Sequence, residues 1–261
     1  MTAFPRWAWL PFAVGLALLA VPLLGMVARV PWADLAGLLS SERALDALGL
    51  SLATCLVATL LVLLLGVPLA LVLARSEGWW VGAVRTLVTV PMVLPPVVAG
   101  LALLVTFGRR GLIGQTLSAW GIEIGFTTAA VVIAQTFVAL PFLVTSLEGA
   151  LRASGARYER VAANLGASPS RIFFRVTVPM ALPAVVSGTA LAFARALGEF
   201  GATLTFAGSL QGVTSTLPLE IYLLRETDSD LALALSLVLV VIALAIVAVS
   251  SRVTSARWNH G

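Results

Sequence analysis

The sequence predicts an all-α integral membrane protein with six transmembrane helices, and two observations lead to that fold class. Of the 261 residues, 60% are hydrophobic and only 11% are charged, and the mean hydropathy is +1.05. A soluble domain carries about 25% charged residues, so a chain of this composition belongs in a lipid bilayer. The charged residues are also far apart, leaving several stretches long enough for a helix of about 20 residues to cross the hydrocarbon core.

Five of the six spans follow directly from long uncharged stretches. The first of these could be a cleaved signal peptide, but its apolar run is longer than the usual h-region of about 7–15 residues, so we expect a retained helix. The remaining span lies between Arg175 and Glu220. Because residues 207–216 are polar and rich in glycine, we expect one helix in this stretch, followed by a loop. In chain order, the predicted spans are 8–28, 48–74, 86–107, 126–147, 181–206 and 231–250.

The arginine distribution over the loops predicts the orientation. With the N-terminus inside, the inner segments hold ten arginines and three acids, and the outer loops hold five arginines and eight acids. The net charges are then +7 inside and −3 outside. We therefore expect both termini to be cytoplasmic, with residues 1–261 forming a single membrane domain whose longest inner loop is 148–178.

The composition excludes several classes of enzymatic site. The chain has no lysine, and a P-loop needs one to reach the nucleotide phosphates. Its single histidine, His260, lies near the C-terminus, and its single cysteine, Cys55, lies in an apolar run. Serine–histidine pairs, cysteine metal clusters and internal disulfides are therefore excluded. We expect no catalytic residue, no metal site and no cofactor bound by this chain.

The inner loop 148–178 carries the clearest local pattern. Four residues spaced at i, i+3, i+4 and i+7 form an apolar helical face, and they are Tyr158, Val161, Ala162 and Leu165. Gly166 follows as a helix stop, and Ser168 with Pro169 begins a second helix. The pattern predicts a helix–glycine–helix unit along the inner face. From composition alone, its arginines are ordinary anchors at the membrane interface.

The residue order of the same loop resembles the EAA loop of ABC-transporter permeases. Glu159 and Gly166 keep the seven-residue spacing of that motif, although Arg160 and Val161 replace its two alanines. The resemblance implies that 158–166 is a coupling helix that docks into a separate ATP-binding subunit. The residues to which it assigns this coupling are Tyr158, Glu159, Arg160, Ala162, Ala163, Leu165, Gly166 and Ala167.

The proline-rich segment 91–100 resembles the proline-rich helix of ABC permeases. Two further segments resemble the molybdate permeases of that family, and they are 195–208, with its Gly-Glu-Phe-Gly-Ala sequence, and 216–222 before the last helix. Relatives that carry sulfate or thiosulfate share Gly-Glu-Phe-Gly-Ala, so a sulfate permease is the alternative. The resemblance implies a type I ABC importer permease fold in a bacterial inner membrane, importing molybdate or tungstate by alternating access. The implied partners are a second copy of the chain, two ATP-binding cassette subunits that hold ATP and Mg, an extracytoplasmic molybdate-binding protein and the lipid bilayer, with no nucleic acid.

Two features of the spans are candidates for a translocation route. Arg195 and Glu199 are the only charges inside the predicted spans, and their i, i+4 spacing lets them pair. The pair is either a structural ion pair that fixes the position of the fifth helix, or it places Arg195 beside the route of a dianion. Two consecutive prolines should kink the third helix, either for packing alone or as a gate against the fifth. Thr203 and Thr205 cannot share one helix face, so at most one of them lines a pore. The candidate route and gate residues are Pro95, Pro96, Arg195, Gly198, Glu199, Gly201 and Thr203.

A single six-helix subunit makes a poor channel, so we expect a C2 homodimer with the pore on its axis.

Acids concentrate in the predicted outer loops, and a free dianion would be repelled by Glu220, Glu226, Asp228 and Asp230. Either this charge favours handover from a partner protein, or the same acids are simply solvated or pair with arginines on that partner. The alternative from a different class is a self-contained secondary transporter or channel, although such proteins commonly contain inverted repeats around ionisable midplane groups. A membrane enzyme is disfavoured because the sequence offers no nucleophile–base set or carboxylate dyad.

Overall fold

The computed structural model describes residues 6–155 and 157–255, and every regular element in those ranges is helical. Arg257 and His260 lie outside these ranges, and the side chains of Arg6 and Arg252 are not described. After a 3₁₀ turn at Arg6–Ala8, the helices are α1 (Trp9–Ala28), α2 (Leu35–Leu39), α3 (Glu42–Arg75), α4 (Trp79–Val93), α5 (Pro96–Phe107), α6 (Gly114–Ala119), α7 (Thr128–Ser154), α8 (Arg157–Asn164), α9 (Pro169–Ile172), a π-helical turn (Phe173–Thr177), α10 (Val178–Leu197), α11 (Gly201–Ala207), α12 (Leu217–Leu224) and α13 (Ser229–Ser255).

Five helical stretches in the described ranges are long and apolar enough to cross a membrane, and a bent pair brings the number to six. The five are α1, α3, α7, the continuous stretch Pro169–Leu197, and α13, while the bent pair is α4 with α5. Each of these six coincides with one predicted span. The all-α membrane fold is therefore confirmed, and the orientation of the termini stays a prediction.

The kink predicted at Pro95 and Pro96 is a complete break of the helix. α4 and α5 are bent by 115° relative to each other, so the predicted span 86–107 is not one continuous helix. The residue before a proline is pushed into extended backbone, and both Leu94 and Pro95 have a ψ of 135°. Two such residues in a row end α4, and α5 restarts with Pro96 at its first position.

The fifth predicted span, 181–206, is also divided. α10 ends at Leu197, residues 198–200 leave the helix, and α11 begins at Gly201. The prediction of one helix was wrong because Gly198 ends α10 and the carboxylate of Glu199 binds the backbone of the next helix instead of continuing the first.

The inner loop is shorter than predicted at both ends. α7 continues to Ser154, well beyond the predicted span end at residue 147. α9, the π-helical turn and α10 form one helical stretch, Pro169–Leu197. The second helix of the predicted helix–glycine–helix unit therefore enters the membrane span rather than lying along the inner face, because no helix-breaking residue separates Ile172 from Val178.

The helix α7 packs against both α3 and α10, and small residues allow their close approach. A Cβ built on Gly188 of α10 would lie 2.9 Å from Leu143 Cδ1, and one on Gly66 of α3 would lie 3.1 Å from Leu143 Cδ2. Glycine at such positions lets membrane helices pack backbone to side chain without a gap. These three helices form a frame whose two ends carry the candidate sites, whereas α1 has no buried residue.

Candidate functional site

The helix α8 ends at a glycine, as the sequence predicts. Gly166 has a φ of +80°, a left-handed conformation that residues with a Cβ rarely adopt. Its N–H donates to the Ala163 carbonyl oxygen (2.9 Å), and the Ala167 N–H donates to the Ala162 carbonyl oxygen (3.1 Å), which together make a Schellman cap. Gly166 therefore ends α8 and sets the direction in which the chain leaves toward α9.

The predicted apolar face of α8 points away from the rest of the chain. Tyr158, Val161 and Leu165 are 60%, 52% and 83% exposed, and only Ala162 of this face is half-buried. Large apolar side chains grouped at the surface outside the lipid-crossing part of a protein mark a contact with another molecule. Of the other residues assigned to coupling, the exposed ones are Arg160, Ala163 and Gly166, and Ala167 is half-buried.

Glu159, beside this face, contacts the transmembrane helices. Its Oε1 accepts a hydrogen bond from Arg75 Nη2 at 2.6 Å and another from Thr177 Oγ1 at 2.6 Å. Arg75 is the last residue of α3, and Thr177 is the last residue of the π-helical turn. The residue that the resemblance assigns to the ATP-binding subunit is therefore engaged within its own chain. Arg75 and Thr177 are too distant in sequence for local spacing to reveal this cluster.

A second charge cluster at the same end was missed by the sequence analysis. Glu148 is buried, and its Oε1 accepts bonds from Arg85 Nε and Nη2 (2.9 and 2.6 Å) and from Arg152 Nε (2.9 Å). Arg152 Nη2 also donates to the Leu73 carbonyl oxygen at 3.0 Å, which links α7 to the end of α3. The i, i+4 spacing of Glu148 and Arg152 could have indicated one of these pairs, but nothing local connects Arg85 to them.

The predicted ion pair in the fifth span is present, and it sits at the break between α10 and α11. Arg195 Nη1 lies 2.6 Å from Glu199 Oε2, with the Glu199 side chain 1% exposed and that of Arg195 29% exposed. The other carboxylate oxygen, Oε1, accepts a bond from the Ala202 N–H at 2.8 Å. Glu199 therefore has two structural contacts, one to the end of α10 and one to the free N–H groups at the start of α11.

The two broken spans meet at their breaks, as the gate hypothesis requires. A Cβ built on Gly201 would lie 2.5 Å from Pro96 Cβ, and one on Gly100 would lie 2.7 Å from the Ala202 carbonyl oxygen. The helices α5 and α11 are thus in backbone-level contact. Pro95, Pro96 and Gly198 are exposed beside this contact, whereas Gly201 is buried.

Thr203 does not border any open surface of the chain. Its side chain is fully buried, and among the described residues its hydroxyl has no hydrogen-bond partner. Thr205, which is half-buried, donates to the Gly201 carbonyl oxygen at 2.9 Å. Of the seven candidate route residues, Glu199, Gly201 and Thr203 are buried within the subunit, and Thr203 is buried because it faces the packed side of α11.

At the opposite end, Glu220 is buried rather than displayed in an outer loop. Its Oε1 lies 3.3 Å from Arg43 Nε, and its Oε2 accepts a bond from Ser215 Oγ at 2.7 Å. The expectation that Glu220 repels a free dianion at the surface was therefore wrong, because this carboxylate is paired and enclosed. The other three acids of that group, Glu226, Asp228 and Asp230, are exposed.

Aromatic contacts connect the α10–α11 break to α12. The ring centroids of Phe200 and Tyr222 are 4.9 Å apart, and the Arg225 guanidinium carbon lies 4.2 Å above the Tyr222 ring. Stacking of this kind fixes the position of Phe200, which is the residue immediately before α11. Tyr222 and Arg225 lie at i, i+3 on α12 and its C-cap, but no local spacing connects Phe200 to them.

Comparison with known proteins adds family information to this geometry. The profile of the family described as "Binding-protein-dependent transport system inner membrane component" matches residues 66–257. The molybdenum transport system permease protein ModB of Mycobacterium tuberculosis is 59% identical over 229 residues, which cover 88% of this chain and 87% of that protein. The protein of the same name from Escherichia coli is 41% identical over 179 residues, covering 68% of this chain and 78% of its own length.

Solved structures with low sequence identity share the fold. A chain of a bacterial alginate ABC transporter, in complex with an alginate pentasaccharide-bound periplasmic protein, matches with a TM-score of 0.72 at 19% identity, covering 95% of this chain and 94% of that chain. A chain of the MetNI methionine ABC transporter in an inward-facing conformation matches with a TM-score of 0.61 at 20% identity, covering 80% and 94%. The helical arrangement is therefore that of the membrane chains of ABC importers.

Proposed function

This chain belongs to the family of binding-protein-dependent transport system inner membrane components, and we propose that it is the permease subunit of an ATP-driven importer of molybdate. It is a multi-pass inner membrane protein. Molybdate is the proposed cargo because a relative named for molybdenum transport is 59% identical over 88% of the chain. The sulfate or thiosulfate alternative is not favoured, because the relatives compared above are named for molybdenum.

The single structural observation that carries the proposal is that the apolar face of α8 is exposed at the surface of the chain. The chain has no lysine for a P-loop, so the work of transport has to come from another protein. Tyr158, Val161 and Leu165 form an exposed apolar surface at the end of the transmembrane frame. A separate ATP-binding cassette subunit, which holds ATP and Mg, would cover this surface, and the end that carries α8 would be cytoplasmic.

The proposed route lies between two copies of the chain, with the Pro96–Gly201 contact as its gate. Pro95, Pro96 and Gly198 are exposed on one side of the two breaks, where a second copy related by a two-fold axis would complete the walls. Arg195 is partly exposed and half-neutralised by Glu199. Such an arginine would bind a dianion weakly, and weak binding suits passage through a route because an ion that binds too tightly cannot leave.

Substrate would reach the outer end by handover from an extracytoplasmic molybdate-binding protein. The family description itself refers to binding-protein-dependent transport. Glu226, Asp228 and Asp230 are exposed at that end and would repel a free dianion. Alternating access then follows: ATP binding closes the two cassette subunits and opens the route outward, and hydrolysis returns it to the inward state.

The proposal is tested by ATP-dependent uptake into vesicles that contain the chain, its ATP-binding subunit and the binding protein. Labelled molybdate is competed separately with tungstate and with excess sulfate. We expect uptake to be blocked by tungstate and to be insensitive to sulfate. Suppression by sulfate would assign the chain to sulfate transport, and accumulation without the ATP-binding subunit would show a self-contained transporter.

A further inference from the structure

One carboxylate joins three separate elements at the inner end of the molecule. Glu159 lies in the first turn of α8, and its Oε1 is bound at 2.6 Å by Arg75 Nη2 and at 2.6 Å by Thr177 Oγ1. Arg75 ends α3 and Thr177 ends the π-helical turn. We refer to these three residues as the Glu159 clamp. The clamp is a direct polar connection from α8 to two helices of the transmembrane frame.

Apolar packing contributes little to holding α8 in place. The large apolar side chains of the helix, which are Tyr158, Val161 and Leu165, are all more than half exposed. In the clamp, Thr177 is buried, and the side chains of Glu159 and Arg75 are 19% and 32% exposed. Glu159 accepts two hydrogen bonds of 2.6 Å, and the one from Arg75 is charge-assisted, a kind that is stronger than a bond between neutral groups. Among the described side-chain contacts, the clamp therefore ties α8 to α3 and to the π-helical turn.

Through Thr177, the clamp contacts the π-helical turn in the helical stretch Pro169–Leu197. Phe173–Thr177 is a π-helical turn, a geometry that is rare in proteins and frequent at functional sites. Directly after Thr177, α10 runs without interruption to Leu197 and the Arg195–Glu199 pair. A displacement of α8 that pulls on Thr177 would therefore act on α10, whose other end is joined through residues 198–200 to α11 and its contact with Pro96.

We propose that Glu159 is a positioning residue, which transmits movement of α8 into α3 and α10 through Arg75 and Thr177, and that it is not a contact to the ATP-binding subunit. The inference rests on the proposed function for the source of the movement. The exposed apolar face of α8 binds the partner, and Glu159, on the neighbouring side that contacts α3 and the π-helical turn, passes the displacement on. The two sides of one short helix thus have separate roles.

The transport test compares Glu159→Gln, Arg75→Met, Thr177→Val and the double variant Arg75→Met/Glu159→Gln with the unchanged chain. Each is assembled with the ATP-binding subunit and the binding protein in vesicles. We expect normal amounts of bound ATP-binding subunit and normal basal hydrolysis, but about a tenfold loss of molybdate transported per ATP hydrolysed. The double variant should be no worse than the single ones, because the residues act as one unit.

Two further variants serve as controls for this test. Glu77→Gln makes the same charge change at an exposed position two residues from Arg75, and it should couple normally. Thr177→Ser keeps the hydroxyl and should also couple normally. If Glu159→Gln weakened binding of the ATP-binding subunit while Arg75→Met did not, Glu159 would be a contact to the partner and the inference would be overturned. Additive losses in the double variant would overturn it as well.

A second measurement examines the clamp without any transport. Amide hydrogen exchange in residues 157–164 of the purified chain should become faster in Arg75→Met and in Thr177→Val, and remain unchanged in Glu77→Gln. Unchanged exchange in the first two variants would overturn the clamp. If the unchanged chain took up no molybdate but showed this exchange pattern, the proposed function would fail while the clamp would stand.

Discussion

Gly201 and Pro96, the first residues of α11 and α5, are packed so closely that no side chain fits between them. A Cβ on Gly201 would lie 2.5 Å from the Cβ of Pro96. A second close approach, at Gly100, would bring a Cβ within 2.7 Å of the Ala202 carbonyl oxygen. Because both breaks pack against each other at backbone level, neither can move without displacing the other.

The first prediction concerns this contact. Gly201→Ala introduces a methyl group into occupied space, and overpacking of this kind costs about 1–3 kcal/mol. We expect a lower unfolding temperature in detergent and loss of molybdate uptake. Gly82→Ala is the matched control, since a Cβ there meets nothing within 4 Å and alanine favours a helix. Normal uptake by Gly201→Ala would show that the contact is not a gate.

The second prediction separates the two contacts of Glu199. Glu199→Gln loses the ion pair with Arg195 but keeps an oxygen that can accept the Ala202 N–H bond, whereas Glu199→Ala loses both. Leaving such buried groups without partners costs about 1–3 kcal/mol each. Thermal unfolding should therefore show a larger loss for alanine than for glutamine. Equal losses would mean that the bond to Ala202 contributes nothing to stability. As a control, Glu226→Gln changes an exposed carboxylate and should leave the unfolding temperature unchanged.

The third prediction concerns the stop at the end of α8. Gly166→Ala places a Cβ in the left-handed region at φ +80°, which costs about 1–2 kcal/mol and favours a different exit of the chain. Gly166→Asp adds a charge at the same place. Both variants should insert normally but lose substrate-stimulated ATP hydrolysis by the partner subunit. Gly149→Ala, in a regular part of α7 with free space around it, should leave substrate-stimulated ATP hydrolysis by the partner subunit unchanged.

The fourth prediction tests the exposed face of α8. Leu165→Asp replaces an apolar side chain that is 83% exposed, so it should leave the fold intact. The carboxylate would have to be desolvated under the ATP-binding subunit, and we expect that subunit to be absent after co-purification. Leu112→Asp makes the same change at a position that is also highly exposed, at the predicted outer end, and should retain the subunit. Equal retention in both variants would remove α8 from the docking surface.

The fifth prediction concerns Glu148. Glu148→Ala leaves Arg85 and Arg152 without their shared acceptor and removes a buried carboxylate that joins α4 to α7. Thermal unfolding should shift clearly downward. Glu123→Ala breaks an exposed pair with Arg109, which contributes about 0–1 kcal/mol, and should change little. A similar effect of both variants would show that burial of Glu148 adds nothing to the pair.

The sequence predicted the spans and the local motifs well, because these depend on neighbouring residues. Uncharged stretches located five of the six candidate membrane segments, the polar residues 207–216 delimited the other, and the residue before Gly166 was correctly expected to end a helix. The Arg195–Glu199 pair followed from i, i+4 spacing alone. Each of these features is determined within one or two helical turns.

The features that the sequence did not reveal depend on distant parts of the chain. Glu159 is held by Arg75, which lies 84 positions earlier, and Glu148 by Arg85, 63 positions earlier. Glu220 looks like a surface acid in sequence but is enclosed beside Arg43. The full break at Pro95 and Pro96 was underestimated as a kink, because a proline limits the local backbone while the final angle of 115° is set by what the second helix packs against.

The absence of buried residues in α1 has a consequence for biosynthesis. α1 precedes the other described spans in the sequence, and its stability in lipid does not require any later helix of the chain, since none of its described side chains is enclosed by them. α7, in contrast, encloses polar groups such as Gln135 and Glu148. α1 can therefore partition into the bilayer as soon as it leaves the translocon, whereas α7 becomes stable only once it has assembled with α3 and α10.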